Sequence, residues 1–465
     1  MSDIDLAECP VGRIGIDTSK APEPALGTDP ISPSRYYDRD FWTREWEGMW
    51  TRTWQVVALE RQLQNVGDFV TMDFGPEVIL AVRGDDGVIR CFYNVCQHRG
   101  MLLVAAESGN ERRFVCPYHA WTFNLRGEIK VIPDVADFPP ESNCREKNLV
   151  EIPCAVWGGM VWFNMDKACD PLATFLAPVA EQIDAYPMAD MVRTHWVTIE
   201  GDFNWKLVQD NFNESYHVFH AHPQLKYVAE FSYLYSQFDL YEGGHCRMLM
   251  PGGAPSRAVR GSEPEIVRQL GEHIRFWGLD PDDFKGRMHD LRLALQKQKR
   301  LLGKEKGYDF SNYDDNMLTD NWHYTLFPNL SFSLKPDGNI WLRARPHPTD
   351  PEKCFFDMWY MNLFPEGQTS YYSPTMRDWV SMDTPAPHQT GKAGDYTMGP
   401  TIDQDVAIWS KQQKALHSRG YARECLAGQE RRVRFFHETL DRWLERYAAG
   451  VRDIADPRTE EMRPA

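Results

Sequence analysis

Four residues in two tight pairs constrain this chain more than anything else in it. Cys96-Gln-His98 is followed, after 17 intervening residues, by Cys116-Pro-Tyr-His119. Thiolates and imidazoles are strong metal ligands, and two such pairs can supply four of them from two adjoining loops. Zinc would take all four as a tetrahedral structural site. A two-iron, two-sulfide cluster would instead place both thiolates on one iron and both imidazoles on the other. Zinc sites commonly open with a Cys-x2–4-Cys pair, so mixed Cys/His in both pairs favours the cluster.

The surrounding text suits such loops. Short apolar runs at Trp54–Leu59, Val78–Val82, Val88–Phe92, Arg113–Val115 and Gly159–Phe163 are separated by Gly, Asp and Asn. That pattern predicts a small antiparallel β domain. Residues 1–35 read as an extended arm, with Pro22, Pro24, Gly27, Pro30 and Pro33. Phe41, Trp42, Trp46 and Trp50 predict a short helix over Tyr37–Trp54. The expected division is an arm at 1–35, the cluster domain at 36–166 and a larger domain at 167–465.

That larger domain mixes periods, which makes the chain α+β. Helices are predicted over Leu172–Tyr186, Phe203–Phe219, Pro264–Lys304, Val406–Arg419 and Glu430–Tyr447. Strands are predicted at Trp196–Ile199, Leu330–Leu334, Ile340–Arg345 and Phe355–Leu363.

The segment Asp210-Asn-Phe-Asn-Glu214-Ser-Tyr-His217-Val-Phe-His220-Ala-His222-Pro223 places three imidazoles within six positions. Two His and one carboxylate form the facial triad of non-haem Fe(II) oxygenases. Helix geometry alone does not choose the pair: His217 and His220 would share a face, whereas Pro223 turns His222 out of the α region.

Both motifs resemble the Rieske non-haem iron oxygenases, the ring-hydroxylating α-subunit family. Its signature Cys-x-His-Arg-Gly then Cys-x-Tyr-His-x-Trp is matched by Cys96-Gln-His98-Arg99-Gly100 and Cys116-Pro-Tyr118-His119-Ala-Trp121. Its Glu/Asp-x-x-His-x4-His is matched by Glu214, His217 and His222, which makes His220 a neighbour of the site. The family's third iron ligand precedes a helix similar to Gln412-Gln-Lys-Ala-Leu-His-Ser418, and counting back favours Asp405 over Asp403.

The resemblance implies a Rieske domain plus a helix-grip catalytic domain with an antiparallel sheet. It further implies one [2Fe–2S] cluster, one mononuclear Fe(II) and a homotrimer, with or without a β subunit. Glu214 would bridge His119 of one subunit to His217 of the next. Glutamate there, where Asp is common, is more like the branch of quaternary-ammonium oxygenases and demethylases. The reaction implied is hydroxylation, dihydroxylation or oxidative demethylation of an organic, aromatic or bulky apolar substrate. No GxGxxG fingerprint is present, so electrons from NAD(P)H are expected through a reductase, with or without a ferredoxin.

Two other readings account for less. A pure Rieske electron carrier leaves His217, His222 and the large C-terminal domain unused, and a zinc-stabilised binding module would show zinc without acid-labile sulfide on metal analysis. A net charge of −16 argues against nucleic-acid binding. No apolar run approaches ~18 residues, which argues against a membrane span. The first 19 residues lack a signal-peptide core, and ten cysteines in 465 residues are no disulfide framework. The expected location is the cytoplasm.

Overall fold

The computed structural model describes residues 20–184, 186–257, 268–311, 313–373 and 375–450. The chain divides into two compact units. The first is Arg39–Phe175 with Pro346–Asp350 and the described residues from Arg442 on. The second takes the arm up to Asp38, then Leu176–Arg345 and Pro351–Asp441. The cut therefore falls at 175/176, nine residues beyond the one expected from sequence, and the second excursion to the first unit, at 346–350, has no signal in composition.

In the first unit, α1 (Arg39–Glu45) continues into a π turn at Trp46–Trp50 that buries Trp46, Met49 and Trp50. Eleven strands follow: β1 (Gln55–Leu59), β2 (Asp68–Phe74), β3 (Glu77–Arg83), β4 (Ile89–Tyr93), β5 (Ser108–Asn110), β6 (Phe114–Val115), β7 (Thr122–Phe123), β8 (Ile129–Val131), β9 (Glu151–Ile152), β10 (Cys154–Trp157) and β11 (Met160–Phe163). They form sheets ordered β5-β2-β3-β4-β9, β1-β11-β10 and β6-β7-β8, all antiparallel in their paired registers. Phe69, Leu80, Val82, Phe92, Phe114, Trp121 and Phe123 form one core, and Cys96 and Cys116 belong to it. The two metal-ligand loops are thus built directly on packed side chains.

The second unit begins with short helices α2 (Leu172–Leu176, which straddles the cut) and α3 (Val179–Gln182). One helix was expected here, and Pro178, which has no N–H to give, divides it. Then come β12 (Val192–Gly201), α4 (Trp205–Phe212), α5 (Val218–Ala221), β13 (Gln237–Leu240), β14 (Cys246–Met250), α6 (Arg268–Phe276) and α7 (Leu291–Leu302). The chain continues through β15 (Asn321–Leu326), β16 (Leu330–Lys335), β17 (Gly338–Pro346), β18 (Cys354–Asn362), the hairpin β19 (Ser370–Ser373) and β20 (Asp378–Ser381), β21 (His388–Lys392), α8 (Pro400–Leu416) and α9 (Arg431–Ala448).

Eight strands make one sheet ordered β13-β14-β15-β16-β17-β18-β12-β21. β21 runs parallel to its neighbour β12. Period-two alternation gives this sheet two distinct faces. Phe356 of β18 meets Phe212 of α4 and Trp409 of α8, so that face receives the helices. On the same side Thr325 and Cys246 accept hydrogen bonds from Arg432 of α9 at 3.0 and 3.1 Å. The other face buries Phe332 stacked on Trp341, and the Arg343/Arg345–Asp357 ion pairs. Phe332 therefore points away from α4. Among the described residues no helix is long and apolar enough to cross a membrane, and the nine described cysteines are free thiols.

Candidate metal centres

The first centre is two copies of one loop. Cys96 donates its N–H to Met101 O (2.8 Å), and Gly100 N–H returns to Cys96 O (3.1 Å). Cys116 N–H donates to Trp121 O (2.8 Å), and Ala120 N–H returns to Cys116 O (3.0 Å). The fifth residue of each knuckle is left-handed: φ is +70° at Gly100 and +59° at Ala120. Glycine takes that conformation freely, whereas Ala120 is held there by its loop. Both cysteines are buried, and burial pushes the Cys96 thiol up to about 11, with Cys116 beside it. A coordinated metal deprotonates such a thiol outright.

The imidazoles supply the decisive detail. His98 and His119 meet edge to face with centroids 4.7 Å apart, and His98 stacks on Trp121 at 4.8 Å. Burial, then the neighbouring His119 and Arg99, lower the His98 pKa and keep the ring neutral. The Nδ1 atoms of both rings are buried without a hydrogen-bond partner. An orphaned buried nitrogen is costly unless something binds it. Two thiols and two free Nδ1 atoms therefore fit a mixed-ligand [2Fe–2S] cluster.

The second centre forms where a single expected helix breaks. α4 ends at Phe212 and α5 starts at Val218. Between them the Glu214 carboxylate accepts the backbone N–H groups of Tyr216 and His217, the latter at 3.1 Å. Local side-chain capping of this kind competes with the helical ladder. Glu214 Oε1 also contacts His217 Nδ1, which leaves Nε2 to point at Asp405 Oδ1, 3.7 Å away. His222 follows the end of α5, with its Nε2 2.8 Å from the same oxygen. Ligand atoms of His217, His222 and Asp405 lie within 4.8 Å of one another. Burial opposes charge on His222, and the Asp405 hydrogen bond and charge outweigh it, so its pKa is raised.

The residues that sequence left as alternatives lie in different surroundings here. His220 is exposed and lies outside the convergent group. Asp403 accepts from Thr397 Oγ1 (2.6 Å) and Met398 N–H (2.8 Å), tying down the chain that enters α8. Sequence reasoning missed Gln404, whose Oε1 lies 2.7 Å from His222 Nδ1 and accepts from Gln224 at 2.9 Å. A partner on Nδ1 fixes the tautomer that offers Nε2 to a metal. Its only signal was its place between Asp403 and Asp405. Two imidazoles and one carboxylate at these separations fit a mononuclear iron of the facial-triad type.

Residues 188–446 match the family described as the ring hydroxylating α subunit (catalytic domain), and residues 53–151 match the Rieske [2Fe-2S] domain. The chain belongs to the Rieske non-haem iron oxygenase family. A [2Fe–2S] cluster and a mononuclear iron are the cofactors of this family, and both donor sets above suit them.

The carnitine monooxygenase oxygenase subunit of Escherichia coli (strain K12) is 34% identical over 197 residues, covering 41% of this chain and 52% of the relative. The glycine betaine monooxygenase oxygenase subunit of Pseudomonas aeruginosa (strain UCBPP-PA14) is 28% identical over 190 residues, covering 41% and 44%. The match thus spans about half the length of these relatives. Among solved structures, the quaternary ammonium Rieske monooxygenase CntA with an inhibitor superposes with a TM-score of 0.63 at 20% identity, over 89% of this chain and 95% of that one. Naphthalene 1,2-dioxygenase with bound indole gives 0.61 at 18%, over 89% and 92%. These likenesses establish a shared fold.

The Rieske assignment makes a direct test of the first centre. Cys116→Ser is expected to abolish the red-brown colour of the purified protein, because a lost thiolate opens one iron. Stoichiometric zinc in a colourless wild-type protein would overturn it.

Proposed function

We propose that this chain is the terminal oxygenase component of a Rieske system that acts on a quaternary-ammonium or related N-methyl substrate. The observation that carries the reading is the presence of two complete and different donor sets on one chain. Cys96, His98, Cys116 and His119 are assigned to the cluster, and His217, His222 and Asp405 to the iron. When bound, the cluster supplies electrons singly and the iron supplies oxygen activation. The electrons come from NAD(P)H through a reductase partner, and the protein works as a cytoplasmic homotrimer.

The residues divide the remaining work. Gln404 and Glu214 fix the His222 and His217 tautomers, so that both Nε2 atoms face Asp405. Val218, Phe231, Phe238, Met248 and Met250 pack into one apolar cluster with Phe219 and Leu225. Val218 and Phe219 are the residues immediately after His217, so this cluster forms the apolar wall next to it. It excludes water and offers the polarizable surface that suits N-methyl groups. Glu214 also bridges to His119 of the neighbouring subunit.

Two features favour quaternary ammonium over arene substrates: Glu214 at a position commonly Asp, and the carnitine, glycine betaine and choline monooxygenases among the relatives. Hydroxylation of a carbon bonded to such a nitrogen consumes O2, two electrons and two protons and gives one water. The product breaks its C–N bond to release a tertiary amine, an aldehyde and a proton.

A panel of carnitine, glycine betaine, choline and simple arenes under 18O2 with a surrogate reductase tests this. Amine release with one labelled oxygen in the aldehyde, trapped before exchange with water, is expected. A cis-diol carrying two labelled atoms would replace the proposal with arene dioxygenation.

A further inference from the structure

Four side chains of the second unit meet beside α4, away from the iron ligands. Tyr36 comes from the arm, Asp210 from α4, Glu424 from the loop between α8 and α9, and His437 from α9. Tyr36 is fully buried and His437 nearly so. Tyr36 Oη lies 2.7 Å from Asp210 Oδ2, 2.5 Å from Glu424 Oε1 and 3.2 Å from His437 Nε2. His437 Nε2 is 3.1 Å from Asp210 Oδ1.

Counting hydrogens exposes a shortage. A phenol carries one, and it cannot be given to two carboxylates at once. If Asp210 and Glu424 were both ionised, one oxygen would face the phenol oxygen at hydrogen-bond distance with no hydrogen between them. His437 does not repair this, because its Nε2–H serves Asp210 Oδ1. One carboxyl must carry its own proton.

Asp210 already accepts from the phenol and from the imidazole, which suits an ionised group. Glu424 has one contact on Oε1, and its Oε2 is buried without a partner. A neutral Glu424 that donates to Tyr36, which donates to Asp210, satisfies every short contact. Ligand atoms of Asp210, Glu424 and His437 also lie within 4.8 Å of one another, so a bound cation is the rival account; it would hold both carboxylates ionised and leave no protonated-carboxyl band.

We propose that Glu424 carries a proton in the working protein and that the Glu424–Tyr36–Asp210 chain positions the helix end from which Glu214 and His217 emerge. Asp210 sits one turn before Glu214 on the same segment. Glu424 sits on the connection that follows α8, the helix of Asp405. The quartet therefore ties α4, which leads into the turn of Glu214 and His217, to the connection that leaves α8. The positioning role rests on the oxygenase reading, whereas the protonation does not.

Burial first, and then the Asp210 charge, raise the Glu424 pKa, while His437, Tyr36 and Arg434 pull it down. Tyr421 and Cys425 lie on the same loop, and Glu430 faces both Asp210 and Glu214. A carboxyl with a raised folded-state pKa stabilises the fold below its unfolded value, and that contribution is lost as pH rises through the folded value.

Glu424→Gln tests both halves, since its amide donates to Tyr36 without titrating. Wild-type holoprotein should show an infrared band of a protonated carboxyl above the ordinary carboxylate range, and the variant should lack it. The melting temperature of the wild type should fall as pH rises through the same midpoint, and the variant should lose that step. The alkaline limb of the pH–rate profile should move upward in Glu424→Gln, whatever its absolute rate.

A spectrum and a melting profile identical in the two proteins would overturn the protonation. An unmoved alkaline limb alongside the expected spectra would overturn the positioning role alone. Absence of turnover with every substrate would remove the oxygenase reading and leave the protonation standing. If Glu424→Gln does not fold, Tyr36→Phe decides. The carboxyl band must then shift to the position of a weaker hydrogen bond, and an unshifted band overturns the proposal.

Discussion

His222→Ala and Asp405→Ala are each expected to strip the mononuclear iron and abolish turnover while leaving the cluster spectrum intact. The cause is geometric. Asp405 Oδ1 is the point on which both imidazoles converge, at 2.8 Å from His222 and 3.7 Å from His217. Removing either side chain leaves two ligands, too few to hold a facial-triad metal against water. The proposed cluster ligands belong to a different compact unit with its own core, so their spectrum is an internal control. His220→Ala should keep its iron, because that ring is exposed. Asp403→Ala should keep it too, at a cost of about 1 kcal/mol from the lost hydrogen bonds to Thr397 and Met398. Iron analysis of the four variants decides the matter. Iron lost with His220 and kept without His222 would reverse the assignment.

What the sequence disclosed depended on how local the signal was. The two knuckles were legible because six-residue loops carry their own ligands, and Gly100 marked a left-handed position. Ala120, its counterpart, gave no such mark. The strands with continuous apolar runs, β16 to β18, were legible within two residues at their ends. β13, β14 and β15 were not, because buried Asp239, Arg247 and His323 interrupt their alternation. Those charges are tolerated by pairing across strands: Arg247 meets Asp239 at 2.8 Å. Such a pairing appears only once the register is known. The same applies to the break at residues 213–217, where a Glu214 side chain outcompetes a helix that hydrophobic periodicity predicts.

The site shows the same division between local and distant information. His217 and His222 lie close enough in sequence to announce each other. Asp405 is 183 residues from His222, and only the family resemblance preferred it to Asp403. Tyr36, Asp210, Glu424 and His437 come from four separate stretches, so no window of sequence contains their cluster.

Glu214→Gln is expected to leave both metals bound and to slow cluster reoxidation by orders of magnitude. A carboxylate on a metal-bound imidazole orients the ring and raises its basicity, and losing such a partner typically costs roughly 10–100-fold. Here the loss should be larger, because the bridging role proposed for Glu214 makes it the bonded path between a cluster on one chain and an iron on the next. Glutamine keeps the shape, so the local turn that seats His217 survives. The charge is gone, and the amide offers only one good acceptor for two imidazoles. The variant's cluster should therefore still accept an electron from its donor, yet hold it when substrate and O2 are added. Stopped-flow absorbance separates these two steps. Mixed oligomers then test whether the path crosses subunits. Cys116→Ser subunits combined with His217→Ala subunits should recover partial turnover, since an intact cluster can face an intact iron across an interface. A closed cyclic assembly is the least that the proposed bridge would require. Verified hetero-oligomers that stay inactive would confine electron transfer within one chain and remove the bridge.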